Sequence, residues 1–273
     1  MNKKIGFIIA ISVIALVMLG TVSAGWFDFL GGGDSKNAGN DENTLIVGFD
    51  AEFPPYGYKD ANGSYVGFDL DLAQEVCKRN NWTFKAQPID WDAKDAELDS
   101  GAIDCIWNGF TIDGRENDYT WSKPYFDNKQ VFVVRADSGI NSIDDLAGKT
   151  VETQKDSSAL AALQGDNKTI AAKFGALNQV ADYNTAFMDL ESGACDAIAM
   201  DVGVAEYNMH NKNGSFVILN DTITTEKYGI GFKKGNDPLK DQVQKTLGEM
   251  FDDGTVEKIA QKYGISSDAL IHP

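Results

Sequence analysis

The sequence predicts an α/β protein of two lobes, the first assembled from both ends of the chain. Three observations predict it. Residues 98–106 (LDSGAIDCI) return, slightly altered, as residues 190–198 (LESGACDAI). The offset, from 98 to 190, is 92 residues, too long for a solenoid period and about right for one lobe of a small α/β protein. Second, strand-like runs alternate with helical ones, the order that builds a parallel sheet with right-handed crossovers. Third, the last two helical segments have no sheet of their own, so they must pack on an earlier lobe.

The elements follow in order. Residues 45–49 are an apolar, β-prone run and should be the first strand. Leu72, Ala73, Val76 and Cys77 recur at helical spacing within 68–80, so that helix covers one face of a sheet. Residues 83–87 read as a strand, 92–100 as a helix, and 103–107 as the first copy of the repeated strand. In each copy a helix ends, a Gly stops it, and a short buried strand begins.

The second set opens with a strand at 130–134, a helical turn at 142–146 and a strand at 150–153. Helices are expected at 157–163 and 169–174. Asn184 is expected to cap a helix that carries Phe187 and Leu190 and ends at Gly193. The repeated strand follows at 194–200 and a helix at 202–211. Residues 228–233 alternate like a strand. Asp237-Pro238 opens a helix carrying Leu239, Val243, Leu247, Met250 and Phe251, and a last helix spans 256–263. The chain should cross between lobes near 125–129 and again near 221–228, and two crossings make a hinge. The expected divisions are 44–127 with 223–265 for the first lobe, 128–222 for the second and 266–273 for a loose C-terminal tail.

Composition excludes several classes. A net charge of −17 argues against nucleic acid, whose phosphates attract Lys and Arg. Lys3 and Lys4 precede an apolar run over 5–19 and the small residues Val22-Ser23-Ala24. This is an export signal, read as a cleaved leader at 1–24 or as an uncleaved membrane anchor. Residues 25–43, with Gly31-Gly32-Gly33, read as a flexible linker. Cys77, Cys105 and Cys195 fall on apolar faces and are expected to be buried free thiols. The two histidines, His210 and His272, lie near no nucleophile motif, and no phosphate loop or metal motif appears. No cofactor and no metal are expected.

The chemistry-bearing residues cluster after strands. Ligands of open α/β sheets gather beyond the carboxyl ends of strands. Asp50 to Gly57 follows the first strand, and its prolines make a stiff loop that carries Asp50 and the aromatic Phe53. Trp91 starts a helix and is placed to face a cleft. Asn108 and Gly109 follow the first repeated strand, with Thr111 and Arg115 just beyond; Asp201 follows the second. The planar guanidinium of Arg115 matches a carboxylate, and Asp201 suits a cationic group.

From about Thr44 to Gly264 the sequence resembles the type II periplasmic solute-binding proteins of polar amino-acid ABC importers. The resemblance is carried by Val47-Gly48-Phe49-Asp50 with Phe53-Pro54-Pro55-Tyr56, by Gly67-Phe68-Asp69-Leu70-Asp71, by Gly101-Ala102-Ile103-Asp104, by Thr111 with Arg115, by Trp121-Ser122-Lys123-Pro124-Tyr125, and by Asp201. It implies a periplasmic-binding-protein-like two-lobed fold and a monomer that hands a free amino acid to a membrane permease. It implies that Arg115, Thr111 and Ser157 hold the ligand α-carboxylate, that Asp201 and the Gly109 carbonyl hold its ammonium, and that Asp50, Phe53, Trp91 and Asn108 form the side-chain pocket. Asp50 beside two aromatics favours a cationic amino acid, with arginine, lysine, ornithine or histidine leading, and leaves glutamine and cystine open because a carboxylate also accepts from an amide or an ammonium. Gln154-Lys155-Asp156-Ser157 departs from the Gly-containing turn usual in the resembled family. The alternative on the same fold is a cyclohexadienyl dehydratase, which needs a catalytic acid in the cleft.

Overall fold

The computed structural model describes residues 43–210, 212 and 214–273. The leader or anchor expected at 1–24, and all but the last residue of the expected linker, lie outside them. Among the described residues no helix is long and apolar enough to cross a membrane.

The chain begins with β1 (Thr44–Phe49) and a small antiparallel sheet of β2 (Glu52–Phe53), β3 (Gly57–Lys59) and β4 (Tyr65–Val66). Helix α1 (Phe68–Asn80) follows, then β5 (Thr83–Pro88), α2 (Lys94–Ser100), β6 (Cys105–Ile106), β7 (Thr120–Trp121) and the long β8 (Phe126–Arg135). Next come β9 (Thr150–Gln154), α3 (Ser158–Gln164), α4 (Lys168–Ala171), β10 (Ala176–Val180), α5 (Tyr183–Ser192), β11 (Ala197–Asp201), α6 (Val202–Met209) and β12 (Phe216–Tyr228). The chain closes with β13 (Gly231–Phe232), α7 (Asp237–Asp252) and α8 (Thr255–Lys262).

Two five-stranded sheets result, in the orders β5-β1-β6-β13-β7 and β10-β9-β11-β8-β12. The β-α-β order correctly foretells the parallel pairs β1–β5, β1–β6, β9–β10 and β9–β11. It does not foretell the antiparallel strands. β13 lies antiparallel to β6 and β7, and β8 runs antiparallel to β11 and β12. These strands are reached without a crossover helix, so nothing forces them parallel. β8 and β12 pair with each other and carry the chain between the two sheets. The first sheet therefore takes strands from both sides of the second.

The repeat is a structural one. Gly101 and Gly193 both end their helices in the left-handed conformation, at φ 79° and 82°. Asp104 accepts a hydrogen bond from the Ile46 amide at 2.7 Å, and Asp196 accepts one from the Thr150 amide at 2.9 Å. In both copies an aspartate just ahead of the repeated strand ties it to the parallel strand beside it.

Three local expectations need correcting. The carboxylate of Asp182, not Asn184, caps α5 by accepting from the Thr185 amide at 2.8 Å. The strand expected at 228–233 is split between the end of β12 and β13. The C-terminal tail is not loose: the Ile271 amide donates to the Tyr125 carbonyl at 2.9 Å, and His272 lies 3.0 Å from the Asp252 carboxylate. Cys77, Cys105 and Cys195 are buried and free, as their apolar faces predict. They pack with α1, α5 and α7 in one apolar cluster that includes Val47, Val76, Leu190, Leu247 and Met250.

Gly67 enters α1 at φ 146°, and a Cβ there would sit 2.2 Å from the Tyr56 carbonyl oxygen. That backbone region is nearly glycine-only and costs other residues about 1–3 kcal/mol before any clash. Gly67→Ala is expected to lower stability by about 2 kcal/mol or more. A urea denaturation midpoint that does not move would show that the loop relaxes freely.

Candidate functional site

Two pairs of parallel strands, one from each sheet, end at one place. β1 ends before Asp50, β6 runs into Trp107-Asn108-Gly109, β9 ends at Gln154 before α3, and β11 ends at Asp201. Between these ends lies a cavity of about 20 Å³ lined by Phe53, Trp91, Asn108, Gly109, Thr111, Arg115, Gln154, Ser157, Ser158 and Asp201. Eight of the nine residues expected from the sequence are among them. The ninth, Asp50, meets the wall by accepting from Gln154 Nε2 at 2.6 Å. A larger cleft of about 1160 Å³ runs along the joining strands past Tyr56, Asn128, Glu206, Tyr207 and Glu226. The convergence of strand ends and of opposite charges singles out the smaller one.

The first-sheet wall is fixed by buried polar contacts. Asn108 Oδ1 accepts from the Asp50 amide at 3.0 Å, and Asp50 Oδ1 accepts from the Glu52 amide at 2.8 Å. Burial pushes the Asp50 carboxyl up to about 6, opposed by its bonds from Glu52 and Gln154 and assisted by the charges of Asp182 and Glu52. The Gly109 amide donates to the fully buried Asp69 at 2.6 Å, and Tyr125 donates to the same carboxylate at 2.8 Å. Gly109 adopts φ 54°, and a Cβ there would lie 2.9 Å from the Phe53 ring. Asp69 and a small residue thus set the height of the loop that carries Thr111 and Arg115. The Arg115 guanidinium lies over the Phe110 ring at 5.3 Å and donates to the Thr111 carbonyl at 3.3 Å.

The second-sheet wall carries acids. Asp201 Oδ1 accepts from Asn128 Nδ2 at 2.7 Å, Gln130 Nε2 at 2.8 Å and the Tyr228 hydroxyl at 2.6 Å. Burial, and then the nearby Glu226 charge, raise the Asp201 carboxyl to about 7. Ser157 is buried, and its hydroxyl is used in capping α3: it accepts from the Leu160 amide at 3.1 Å and lies 3.1 Å from the Thr153 hydroxyl. The neighbouring Ser158 hydroxyl donates to Glu226.

Contacts also bridge the two walls. The Asp156 carbonyl accepts from Arg115 Nη2 at 2.9 Å and from Trp91 Nε1 at 3.3 Å, and its carboxylate pairs with the buried Lys94. Asp156 holds φ 53°, the conformation a glycine adopts at no steric cost. The turn that lacks a glycine nevertheless takes the glycine shape. Its side chain obtains an ion pair that glycine could not make.

Sequence reasoning missed Gln154, Glu226, Asn128, Gln130 and Tyr228. A signal existed for the last four. Asn128 with Gln130, and Glu226 with Tyr228, are spaced by two, the period that puts strand residues on one face. The polar stretch of residues 220–227 hid the second half of β12 from a search for apolar runs.

Residues 45–266 match the family described as bacterial extracellular solute-binding proteins, family 3. The chain is 28% identical to the L-cystine-binding protein TcyJ of Escherichia coli (strain K12), over 83% of this chain and 85% of that one. It is 32% identical to a probable histidine-binding protein of Neisseria gonorrhoeae, over 85% and 88%. An ancestral arginine-binding protein bound to arginine shares 38% identity and a TM-score of 0.74, covering 81% of this chain and 98% of that one. A binding protein rather than an enzyme, the chain belongs to family 3 of the bacterial extracellular solute-binding proteins.

Proposed function

We propose that the protein encloses a free amino acid with a cationic side chain between its two lobes and delivers it to the permease of an ABC importer. One observation carries the reading: a guanidinium stands on one wall of the cavity, a buried carboxylate on the other, and a second buried carboxylate, Asp50, is bonded to Gln154 of the cavity lining. Arg115 takes the α-carboxylate with the Thr111 hydroxyl; Asp201 takes the α-ammonium; Asp50, Phe53 and Trp91 meet the side-chain cation through an ion pair and cation–π contact. The names of the relatives support an amino acid. The preference for a cationic one rests on Asp50 alone.

Enclosure follows from size. A free amino acid has about ten heavy atoms, and micromolar affinity needs about −8 kcal/mol, against a ceiling of about 1.5 kcal/mol per atom for the best small ligands. Nearly every atom must be touched, and its charges must be paired as water leaves. A cavity of about 20 Å³ is scarcely more than one water needs, so entry requires the walls to separate about β8 and β12. The ligand then draws both walls together by contacting each. The expected export signal places this activity outside the cytoplasmic membrane, with the protein acting as a monomer, released or tethered.

Arg115→Ala is expected to weaken every amino acid about 100-fold or more, since removing one partner of a buried pair costs roughly 3–5 kcal/mol. Calorimetry that finds unchanged affinity would remove Arg115 from the site. Asp50 carries its charge only above about pH 6. The ratio of arginine to glutamine affinity, in which the shared α-groups cancel, should therefore fall as pH drops through 6. Asp50→Asn should flatten that ratio between pH 5 and 8 and bring it toward one. A ratio that stays high and pH-dependent in the variant would place the specificity elsewhere.

A further inference from the structure

We propose that Glu226 is a specificity-determining residue that joins Asp201 in a two-carboxylate clamp whose counter-charge is the α-ammonium of the ligand, so that the site selects amines over their deaminated analogues. The proposal rests on the reading of Asp201 given above and adds a second acid that no motif indicated.

The geometry is a buried acid pair held by shared neutral donors. Glu226 Oε1 accepts from Asn128 Nδ2, from Gln130 Nε2, each at 2.8 Å, and from the Thr111 hydroxyl at 2.9 Å. The same two amide groups donate to Asp201 Oδ1. Two carboxylate oxygens reached by the same pair of NH₂ groups lie within the range of about 4–6 Å over which one charge shifts another. Asp201 is 5% exposed and Glu226 is 4% exposed. Among the described residues no ion pair includes either acid.

A second observation points to a missing donor. The carbonyl oxygens Asn128 Oδ1 and Gln130 Oε1 are buried without a hydrogen-bond partner. Both amides aim their NH₂ groups at the acids, and flipping either would set its oxygen against a carboxylate. The orphaned oxygens lie on the far side of each amide from the acids, so they record that the neutral donors are committed to the carboxylates; an ammonium supplies three further N–H donors and the one positive charge the pair lacks. Asp201 lines the cavity with the donors Thr111 and Ser158, while Glu226 stands behind those donors, on the wall of the larger cleft, and acts on the ammonium through its charge beside Asp201.

Without a cation, burial and then the nearby Glu226 charge oppose ionisation of Asp201 and raise its carboxyl to about 7. The titratable groups around the pair are Tyr228 on β12, Tyr56 after β2 and Tyr183 on α5, none of them cationic. Arg115 stands on the facing wall. When an ammonium enters, the proton on Asp201 passes to solvent, so proton and amine compete for one place.

The experiment compares Glu226→Gln with the unaltered protein, using arginine and 5-guanidinopentanoic acid, which keeps the carboxylate and guanidinium but lacks the α-amine. Glu226→Gln is expected to weaken arginine at least tenfold and the deaminated probe less than threefold. It is also expected to raise the melting temperature measured without amino acid at pH 8, and not at pH 5. The sign follows from linkage: a carboxyl whose folded value is raised leaves the native state holding more protons than the unfolded chain, so stability falls as pH rises from about 4 to about 7, and relieving the repulsion restores it. Needing no variant, calorimetry in two buffers of different ionisation heat near pH 7 should find more protons released by arginine than by the probe. Equal losses for both compounds, an unchanged arginine affinity, a lowered melting temperature at pH 8, or equal proton release would each overturn the clamp. If the unaltered protein bound none of the amino acids, the functional reading would fail, while the melting arm would still judge the acid pair.

Discussion

The pairing of β8 with β12 is the constraint on which the rest of this structure depends. These two strands join the sheets, and their register sets Glu226 opposite Asn128 while Asp201 stands opposite Gln130 across β8. Three adjacent strands therefore present Asp201, Gln130, Asn128 and Glu226 together. Side chains alternate along a strand, so a slip of one residue would turn the joining-strand members of this set to the opposite face. The same hydrogen bonds that hold the lobes together also place the acids behind the cavity.

Charge is distributed between the walls by topology. The loops after β1 and β6 carry Asp50 and Arg115; the ends of β9 and β11 carry Gln154 and Asp201. Asp156 reaches back from the second wall to Arg115, Trp91 and Lys94. The site is thus narrow, and its polar groups are already engaged with one another. On the function proposed here, an entering amino acid exchanges these contacts for its own, which limits affinity but rewards a ligand that matches several at once.

Much of the fold was legible because it is written locally. Helix α1 appeared at its observed bounds from apolar spacing, and Gly101 and Gly193 marked two helix ends because only glycine takes that turn without strain. β12 was missed because its apolar start, Phe216 to Leu219, is a run too short to separate strand from helix, and residues 220–228 are mostly polar and show no apolar alternation. β10 was missed for a related reason: three of its five residues are apolar, too short a run to separate strand from loop.

By itself the sequence determined the alternation of elements, the repeated strand-end motif and therefore most of the residues lining the cavity. Position after a strand is a one-dimensional fact with a three-dimensional consequence. The tertiary structure alone decided that Gln154 closes onto Asp50 and that Glu226 shares its donors with Asp201. Those relations join residues far apart in the chain, through sheet register and burial, and neither quantity is encoded in the spacing of residues along one strand.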